Sequence, residues 1–175
     1  MSKRTPTMLA CALLVAAGLG ACGGSSKAPG VQLAPTGGQT SATPTTASLP
    51  PALSHKPTVT LPKGPPPSQL VVKDLIKGSG TSAAANGTVT VNYVGVLYNT
   101  GKQFDSSWSR NQPFTTPLSA GSVIPGWVQG IQGMKVGGRR ELIIPPALAY
   151  GKKGSPPAIP PNSTLIFVVD LLSVS

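Results

Sequence analysis

The apolar and polar positions divide the chain into three parts with different patterns. An apolar run from Met8 to Leu19 follows a short cationic start, and no periodic pattern is found in the next stretch, up to about residue 66. From Ser68 onward, apolar runs alternate with short turns that contain Gly, Asn and Pro. This pattern predicts one packed domain over residues 67–175, an ordinary size for a single hydrophobic core.

Four runs within the domain have the composition of β-strands, because they are rich in β-branched and other apolar residues. They are residues 70–72, 88–96, 141–144 and 165–172. Asn86-Gly87 and Asn99-Thr100-Gly101 are typical turn sequences. The runs therefore predict a sheet with short connections.

One helix is predicted between Ile124 and Met134, where apolar residues recur at the spacing of one helix face. Pro125 is favourable in the first turn of a helix, and Gly137-Gly138 is typical of the residues that follow a helix C-terminus. The three glycines inside this stretch make the helix weak in isolation, so packing on the sheet must hold it. Several strands with one short helix predict the α+β class with an antiparallel sheet.

Charge and titratable residues narrow the possible functions. The chain has 14 Lys and Arg against four acids, a formal net charge of +10, but no basic run is longer than two residues, so nucleic-acid binding is not predicted. The only histidine, His55, precedes the domain, which holds no cysteine. A His-centred triad and a zinc site are thus excluded, and a two-carboxylate glycosidase has few candidates. The acids are Asp74, Asp105, Glu141 and Asp170. No metal or cofactor is expected.

The N-terminus has the pattern of an export signal. Lys3-Arg4 precedes the apolar run, which is twelve residues long and therefore shorter than the roughly 20 residues that span a bilayer. Leu19-Gly20-Ala21-Cys22 resembles the bacterial lipobox, in which the cysteine is lipidated and becomes the mature N-terminus. We therefore expect a signal peptide over residues 1–21 and a lipid, such as palmitate, on Cys22. An ordinary secreted protein is the alternative.

Cysteine usage and the next segment fit this expectation. Cys11 lies in the part that would be removed, so Cys22 alone remains and no intramolecular disulfide can form. Residues 22–66 are rich in Pro, Thr and Gly and are predicted to form a disordered tether, with an r.m.s. span on the order of 35–40 Å. The expected location is the extracytoplasmic face of the cell membrane, where the basic mature chain would be attracted to anionic lipids.

Three stretches of the domain closely resemble the FK506-binding-protein (FKBP) family of peptidyl-prolyl isomerases. They run from Val89 to Phe114, from Val123 to Gly151 and from Pro156 to Leu172. They contain, in the family's order, the signatures YxGxL, FDSS, VIxGW, GMxxGxR, AYG and IPPNxxLxF. The resemblance begins at about Leu70 and leaves out the signal and the tether.

The resemblance implies a half-barrel antiparallel sheet wrapped around one short helix, with an apolar pocket between them. The residues implied for catalysis are Tyr93, Phe104, Asp105, Tyr150 and Phe167. Those implied for substrate binding are Phe114, Val123, Ile124, Trp127 and Ile159, with Trp127 as the pocket floor. Taken singly, each of these residues also fits an ordinary core position.

The resemblance also implies individual roles. The Tyr150 hydroxyl and the backbone N–H of Ile124 are expected to bond peptide carbonyls. Asp105 is either an electrostatic participant or a structural anion paired with Arg110, and the two readings stay open. The loop of residues 152–158 is expected to overhang the cleft, and Trp108 to lie near its rim. Expected partners are polypeptides with X-Pro bonds and the macrolides tacrolimus and rapamycin, with the protein acting as a monomer.

Such a pocket suits bond rotation, which needs no general base. The imide bond before proline resists rotation with a barrier of about 18–20 kcal/mol, and rotation breaks no covalent bond. The twisted transition state loses its amide resonance and is less dipolar, so an apolar site favours it over the planar ground state. A preference of about 4 kcal/mol corresponds to a thousandfold acceleration.

These observations predict an exported isomerase that accelerates rotation of X-Pro bonds and so assists folding. A non-catalytic module that only binds proline peptides is one alternative. A basic lipoprotein that acts on the envelope through its tether is another.

Overall fold

The computed structural model describes residues 49–175. The strands are β1 (Val71–Ile76), β2 (Thr88–Leu97), β3 (Gln103–Ser106), β4 (Phe114–Pro117), β5 (Arg139–Ile144) and β6 (Leu165–Val174), and the α-helix is α1 (Pro125–Ile131). Short 3-10 helices lie at Pro51–Ser54, Trp108–Arg110 and Pro146–Leu148. The predicted signal peptide, Cys22 and most of the predicted tether lie outside the described residues.

All strand pairs in the sheet are antiparallel, in the order β1-β5-β6-β2-β3, and β4 also pairs with β2. The long strand β2 makes this possible, because β6 pairs along one side of it while β4 and β3 pair with successive halves of the other. With one helix, the sheet confirms the predicted α+β class. The four predicted strands are present, whereas the pattern did not mark β3 and β4 as strands.

The helix α1 packs on the inner face of the sheet, next to β5. A side chain at Gly126 would place its Cβ 2.4 Å from Ile144, and one at Gly130 would lie 2.6 Å from Leu142. The glycines that weaken the helix therefore allow its backbone to approach the sheet closely. Pro125 begins the helix as expected, but the helix ends at Ile131, because Gly133 takes a φ of +77° and turns the chain.

Both faces of the sheet are buried. Residues of β6 alternate between them, so that Leu165, Phe167, Val169 and Leu171 join the inner core, while Ile166 lies in a second cluster on the outer face. The outer cluster consists of Val94, Val96, Tyr98, Ile143 and Ile166, with Val59 and Trp108 packed against it. A sheet with two apolar faces needs a cover on each.

The cover on the outer face comes from the segment of residues 50–66, which we call the strap. Leu53 is 3% exposed, Pro57 is buried, and the Tyr98 hydroxyl donates to the carbonyl of Pro65 at 3.3 Å. The sequence prediction had placed these residues in the disordered tether because their apolar residues are sparse and aperiodic. In the described residues this part of the chain instead has defined contacts, since the sheet supplies the apolar surface that the segment lacks by itself.

Within residues 49–175, no helix is both long and apolar enough to cross a membrane.

Candidate functional site

A cavity of about 410 Å³ opens between the inner face of the sheet and the start of α1. It is lined by Tyr93, Phe104, Asp105, Arg110, Phe114, Val123, Ile124, Trp127, Tyr150 and Phe167. Its lining comes from strands β2, β3, β4 and β6, from the N-terminus of α1 and from the segment after β5. Residues that are far apart in sequence are thus brought to one opening.

Aromatic rings form the floor and walls of this cavity. Trp127 is 4% exposed and meets Tyr93 and Phe167 edge to face, with ring centroids 5.2 and 5.3 Å apart. Phe104 and Phe167 are also edge to face at 5.5 Å. Such contacts hold each ring in one orientation and add to the energy of burial. The walls are therefore rigid and apolar before any ligand binds.

One glycine makes this ring arrangement possible. A Cβ at Gly95, in the middle of β2, would lie 2.7 Å from the Phe104 ring and 2.8 Å from the Phe167 ring. Any larger residue would push both rings into the cavity. The glycine of the YxGxL signature is therefore required by the pocket itself.

Polar groups at the cavity form one connected cluster. The Tyr93 hydroxyl donates to Asp105, and Arg110 forms an ion pair with the same carboxylate. Arg110 also donates to the Tyr93 hydroxyl at 2.8 Å and lies over the tyrosine ring, 5.7 Å from its centroid. The backbone N–H of Ser106 adds another bond to Asp105 at 2.8 Å. Both oxygens of this carboxylate are thus engaged.

These contacts fix the protonation states of the cluster. Partial burial opposes ionisation of Asp105, but the hydrogen bonds from Tyr93, Arg110 and Ser106 outweigh it and hold the pKa of its carboxyl below the usual range. Burial, and then the hydrogen bond to Asp105, raises the pKa of Tyr93 to about 12. Burial, and then the charge of Asp105, raises the pKa of Tyr150. None of these groups exchanges a proton near neutral pH.

The structure brings together nine of the ten residues that the sequence analysis assigned to the pocket. The tenth, Ile159, is 4% exposed and belongs to the inner core rather than to the cavity lining. Its backbone pairs with Ser155 at 2.8 and 2.9 Å, so it closes the loop that follows Tyr150. Arg110 lines the cavity as well, although it was predicted only as a partner for Asp105.

One expectation about the rim, the place of Trp108, differs from the structure. Trp108, the first residue of a 3-10 helix, was expected near the cleft, but its side chain packs against the outer cluster. The same short helix sends Arg110 into the cavity. Lys152 and Lys153 are exposed and do not line the cavity. Nothing in the spacing of these residues indicates that Trp108 packs on the outer face while Arg110 lines the cavity.

The described residues contain no cluster of His, Cys, Asp and Glu that could hold a metal ion. The arrangement offers instead an apolar, aromatic cleft with one charge-neutral polar cluster and an exposed tyrosine hydroxyl. It can bind a small ring and orient a peptide beside it, without moving a proton.

Comparisons with known proteins agree with this geometry. Residues 80–172, more than half of the chain, match the model of the family described as FKBP-type peptidyl-prolyl cis-trans isomerase. An FK506-binding protein of Streptomyces anulatus is 56% identical over 121 residues, which are 69% of this chain and 98% of that protein. A probable FK506-binding protein of Corynebacterium glutamicum is 51% identical over 119 residues, which are 68% of this chain and 98% of that protein.

A solved structure shares both sequence and fold. The crystal structure of FkpA from Escherichia coli is 48% identical, with a TM-score of 0.56, over 61% of this chain and 48% of that chain. The stretch shared with the Streptomyces protein is longer than residues 67–175, so it includes residues upstream of position 67. Part of the strap therefore has a counterpart in that relative.

Proposed function

Since the chain belongs to the FKBP-type peptidyl-prolyl cis-trans isomerases and has that family's activity, we propose that it acts on X-Pro bonds of exported proteins. It would do so at the extracytoplasmic face of a membrane, held there by a lipid on Cys22. The observation that carries the catalytic part is the aromatic cavity of about 410 Å³ with a pre-bonded polar cluster. The part that concerns location rests on the N-terminal sequence.

Catalysis follows from what the cavity offers to a twisted amide. A prolyl ring on Trp127 places the bond that rotates beside Phe104, Phe167 and the ring of Tyr93. These walls replace water around a carbonyl that becomes less dipolar as it twists, so they favour the transition state over the planar ground state. The rings are already fixed by edge-to-face contacts, so little reorganisation is needed at the moment of rotation.

The polar groups are assigned to positioning. The Asp105 carboxylate accepts hydrogen bonds from Tyr93, Arg110 and Ser106. We therefore assign it the role of holding Tyr93 and Arg110 in the cavity wall. The Tyr150 side chain is 41% exposed, as a group that bonds a bound peptide must be before binding. Its hydroxyl is proposed to donate to a substrate carbonyl, with the backbone N–H of Ile124 as a second donor.

The expected ligands follow from the same cavity. Members of this family bind proline-containing peptides and FK506-type ligands. We propose that tacrolimus and rapamycin occupy the site lined by Trp127 and compete with X-Pro peptides. Binding as a monomer is sufficient, because all lining residues come from one chain.

Three features of the sequence support the proposed location. Lys3-Arg4, the apolar run and Cys22 occur in the order of a lipoprotein signal. The residues between Cys22 and the strap are rich in Gly, Ser, Thr and Pro, which suits a spacer. A domain on such a spacer can reach unfolded chains as they emerge from the membrane.

The Cys22→Ser variant is expected to lose its membrane attachment. When the full chain is made in a bacterium with lipoprotein processing, the wild type should sediment with membranes and be released by detergent. The variant should lack the mass of the lipid and appear in the soluble extracytoplasmic fraction or as unprocessed precursor. Cys11→Ser is the matched control, because it removes the other cysteine from the part that is to be cleaved, and it should leave the lipid in place. Membrane-bound, lipid-carrying Cys22→Ser protein would contradict the proposal.

A further inference from the structure

The strap is connected to the catalytic cavity through hydrogen bonds. Lys56, in the strap, donates to the side-chain carbonyl of Gln103 at 2.7 Å. The amide nitrogen of Gln103 donates to the Ser109 hydroxyl at 3.2 Å. Ser109 lies in the 3-10 helix Trp108–Arg110, directly before the arginine that bonds Asp105 and Tyr93. Gln103 is therefore the one side chain that connects the strap to the 3-10 helix that carries Arg110.

Apolar contacts run parallel to this path. Val59 of the strap and Trp108 pack against the same outer cluster. The groove between strap and sheet is lined by Val59, Val94 and Val96, and also by Gln103. The strap and the first residue of the 3-10 helix thus rest on one surface, so the position of one depends on the packing of the other.

The inner side of the same helix is held independently. The Ser107 hydroxyl accepts from the backbone N–H of Tyr93 at 2.9 Å, and the Ser106 hydroxyl donates to the Tyr93 carbonyl at 3.1 Å. These bonds fix the start of the turn but not Ser109 and Arg110, which are exposed. At this exposed end, the side chain of Gln103 bonds Ser109 and so connects the helix to the strap.

We propose that the strap is a working part of the isomerase and that Gln103 is a positioning residue, which holds the 3-10 helix so that Arg110 keeps Asp105 and Tyr93 in the cavity wall. A residue that acts in this way changes the fraction of molecules with a complete wall, and turnover falls by that fraction. The inference rests on the isomerase activity and not on the location of the protein. It assigns a catalytic consequence to a segment upstream of the family-matched residues 80–172.

The test compares Gln103→Leu, Gln103→Glu and Gln112→Leu in the full chain. Leucine has a similar size but can bond neither Lys56 nor Ser109, so kcat is expected to fall about fivefold, with KM within twofold. Glutamate accepts from both groups, so it should restore kcat to within about twofold of the wild type. Gln112 is an exposed glutamine just beyond the same helix, without a side-chain hydrogen bond in the described part of the chain, and its change should leave kcat as it is.

Tacrolimus captures molecules with a complete or an incomplete wall, because the two forms interchange, so the titration counts folded chains and kcat is given per folded chain. A purely structural role of Gln103 would lower the number of folded chains and leave kcat per folded chain unchanged, which would overturn the proposal. Equal kcat for Gln103→Leu and wild type, or an equal loss in Gln103→Glu, would also overturn it. Lys56→Met removes the hydrogen bond from the strap to Gln103 and should also lower kcat. Wild-type protein without turnover would instead count against the proposed function.

Discussion

The variant that carries Asp105→Val, Tyr150→Phe and Phe167→Tyr is expected to lose at least about a hundredfold in kcat/KM towards an X-Pro peptide, which is about 2.7 kcal/mol of transition-state stabilisation. Valine at position 105 leaves Arg110 without its carboxylate at the cavity. Phenylalanine at position 150 removes the exposed hydroxyl that is proposed to bond the peptide. Each change affects a different element of the same wall.

The third change introduces a polar group into the apolar wall. Phe167 is 4% exposed and packs edge to face on Phe104 and Trp127. A tyrosine hydroxyl there has to be solvated or bonded, so it brings water towards the rotating bond and weakens the preference for the twisted state.

The measurement is a progress curve of cis-to-trans conversion of a proline peptide, with each variant at equal concentration of folded protein. Thr90→Val is the matched control, since it removes an exposed hydroxyl on the same sheet whose partner is Thr115, and neither threonine lines the cavity. The control should retain wild-type kcat/KM. If the triple variant also retained it, the assignment of catalysis to this cavity would be wrong.

Replacing Arg139 with leucine is expected to lower the free energy of unfolding by about 3–5 kcal/mol, the loss typical of a buried charge that has lost its partner. Asp170 is fully buried on the outer face of β6, and Arg139 bonds both of its oxygens at 2.6 and 2.8 Å. Arg139 also donates to the carbonyl of His55 at 2.9 Å, so the variant releases one contact of the strap as well.

The loss should depend on pH with a defined sign. Burial raises the pKa of the Asp170 carboxyl, although its bonds to Arg139 act in the opposite direction. Without Arg139 the folded-state pKa rises further above that of the unfolded chain. An acid with a raised folded pKa costs no stability below the unfolded value, near pH 4, and costs progressively more as the pH rises through the folded value. The destabilisation of Arg139→Leu should therefore be smallest in acid and largest at neutral pH.

Chemical denaturation at several pH values measures both effects. Arg140→Leu is the matched control. The neighbouring arginine also bonds the Gly130 carbonyl, but its ion-pair partner, Asp74, is 35% exposed and can be solvated once the arginine is gone, so this variant leaves no buried charge and should lose less stability. Adding Asp170→Leu to Arg139→Leu should recover much of the lost stability, since no charge is then left buried. If Arg139→Leu and Arg140→Leu lowered the free energy of unfolding equally at neutral pH, the buried ion pair would contribute no more to stability than its neighbour, which would contradict the prediction.

The long strands and the helix could be predicted because burial leaves a clear pattern in their residues. The β6 sequence is almost continuously apolar, which is typical of a strand covered on both faces. The helix could be placed by Pro125 and by the apolar spacing, but its C-terminus could not. Gly133 and the contacts with β5 decide where it ends, and both are tertiary features.

The strap could not be predicted from its own sequence. Leu53 stands apart from the other large apolar residues, and Pro57, Val59 and Leu61 alternate with threonines over only five positions, which is too short a pattern to predict an ordered segment. The burial of Leu53 and Pro57 depends on an apolar sheet surface that lies far along the chain. A segment of this kind has the composition of a linker and is ordered only by what it covers.

The pocket residues could be named from the resemblance, but their arrangement could not. Nothing in the spacing shows that Ile159 stabilises the loop after Tyr150 from within the core, or that one short helix sends Trp108 outward and Arg110 inward. The state of Asp105 depends on three hydrogen bonds from two strands and a turn. Such features follow from tertiary contacts and not from local pattern.

The most direct test of the central claim is a titration of the wild-type isomerase reaction with tacrolimus. The chain should accelerate cis-to-trans conversion of an X-Pro peptide, and the acceleration should fall linearly to the uncatalysed rate at one inhibitor per chain. That result would assign all turnover to the single aromatic cavity. Peptide binding without acceleration, or acceleration that persists when the cavity is filled, would contradict it.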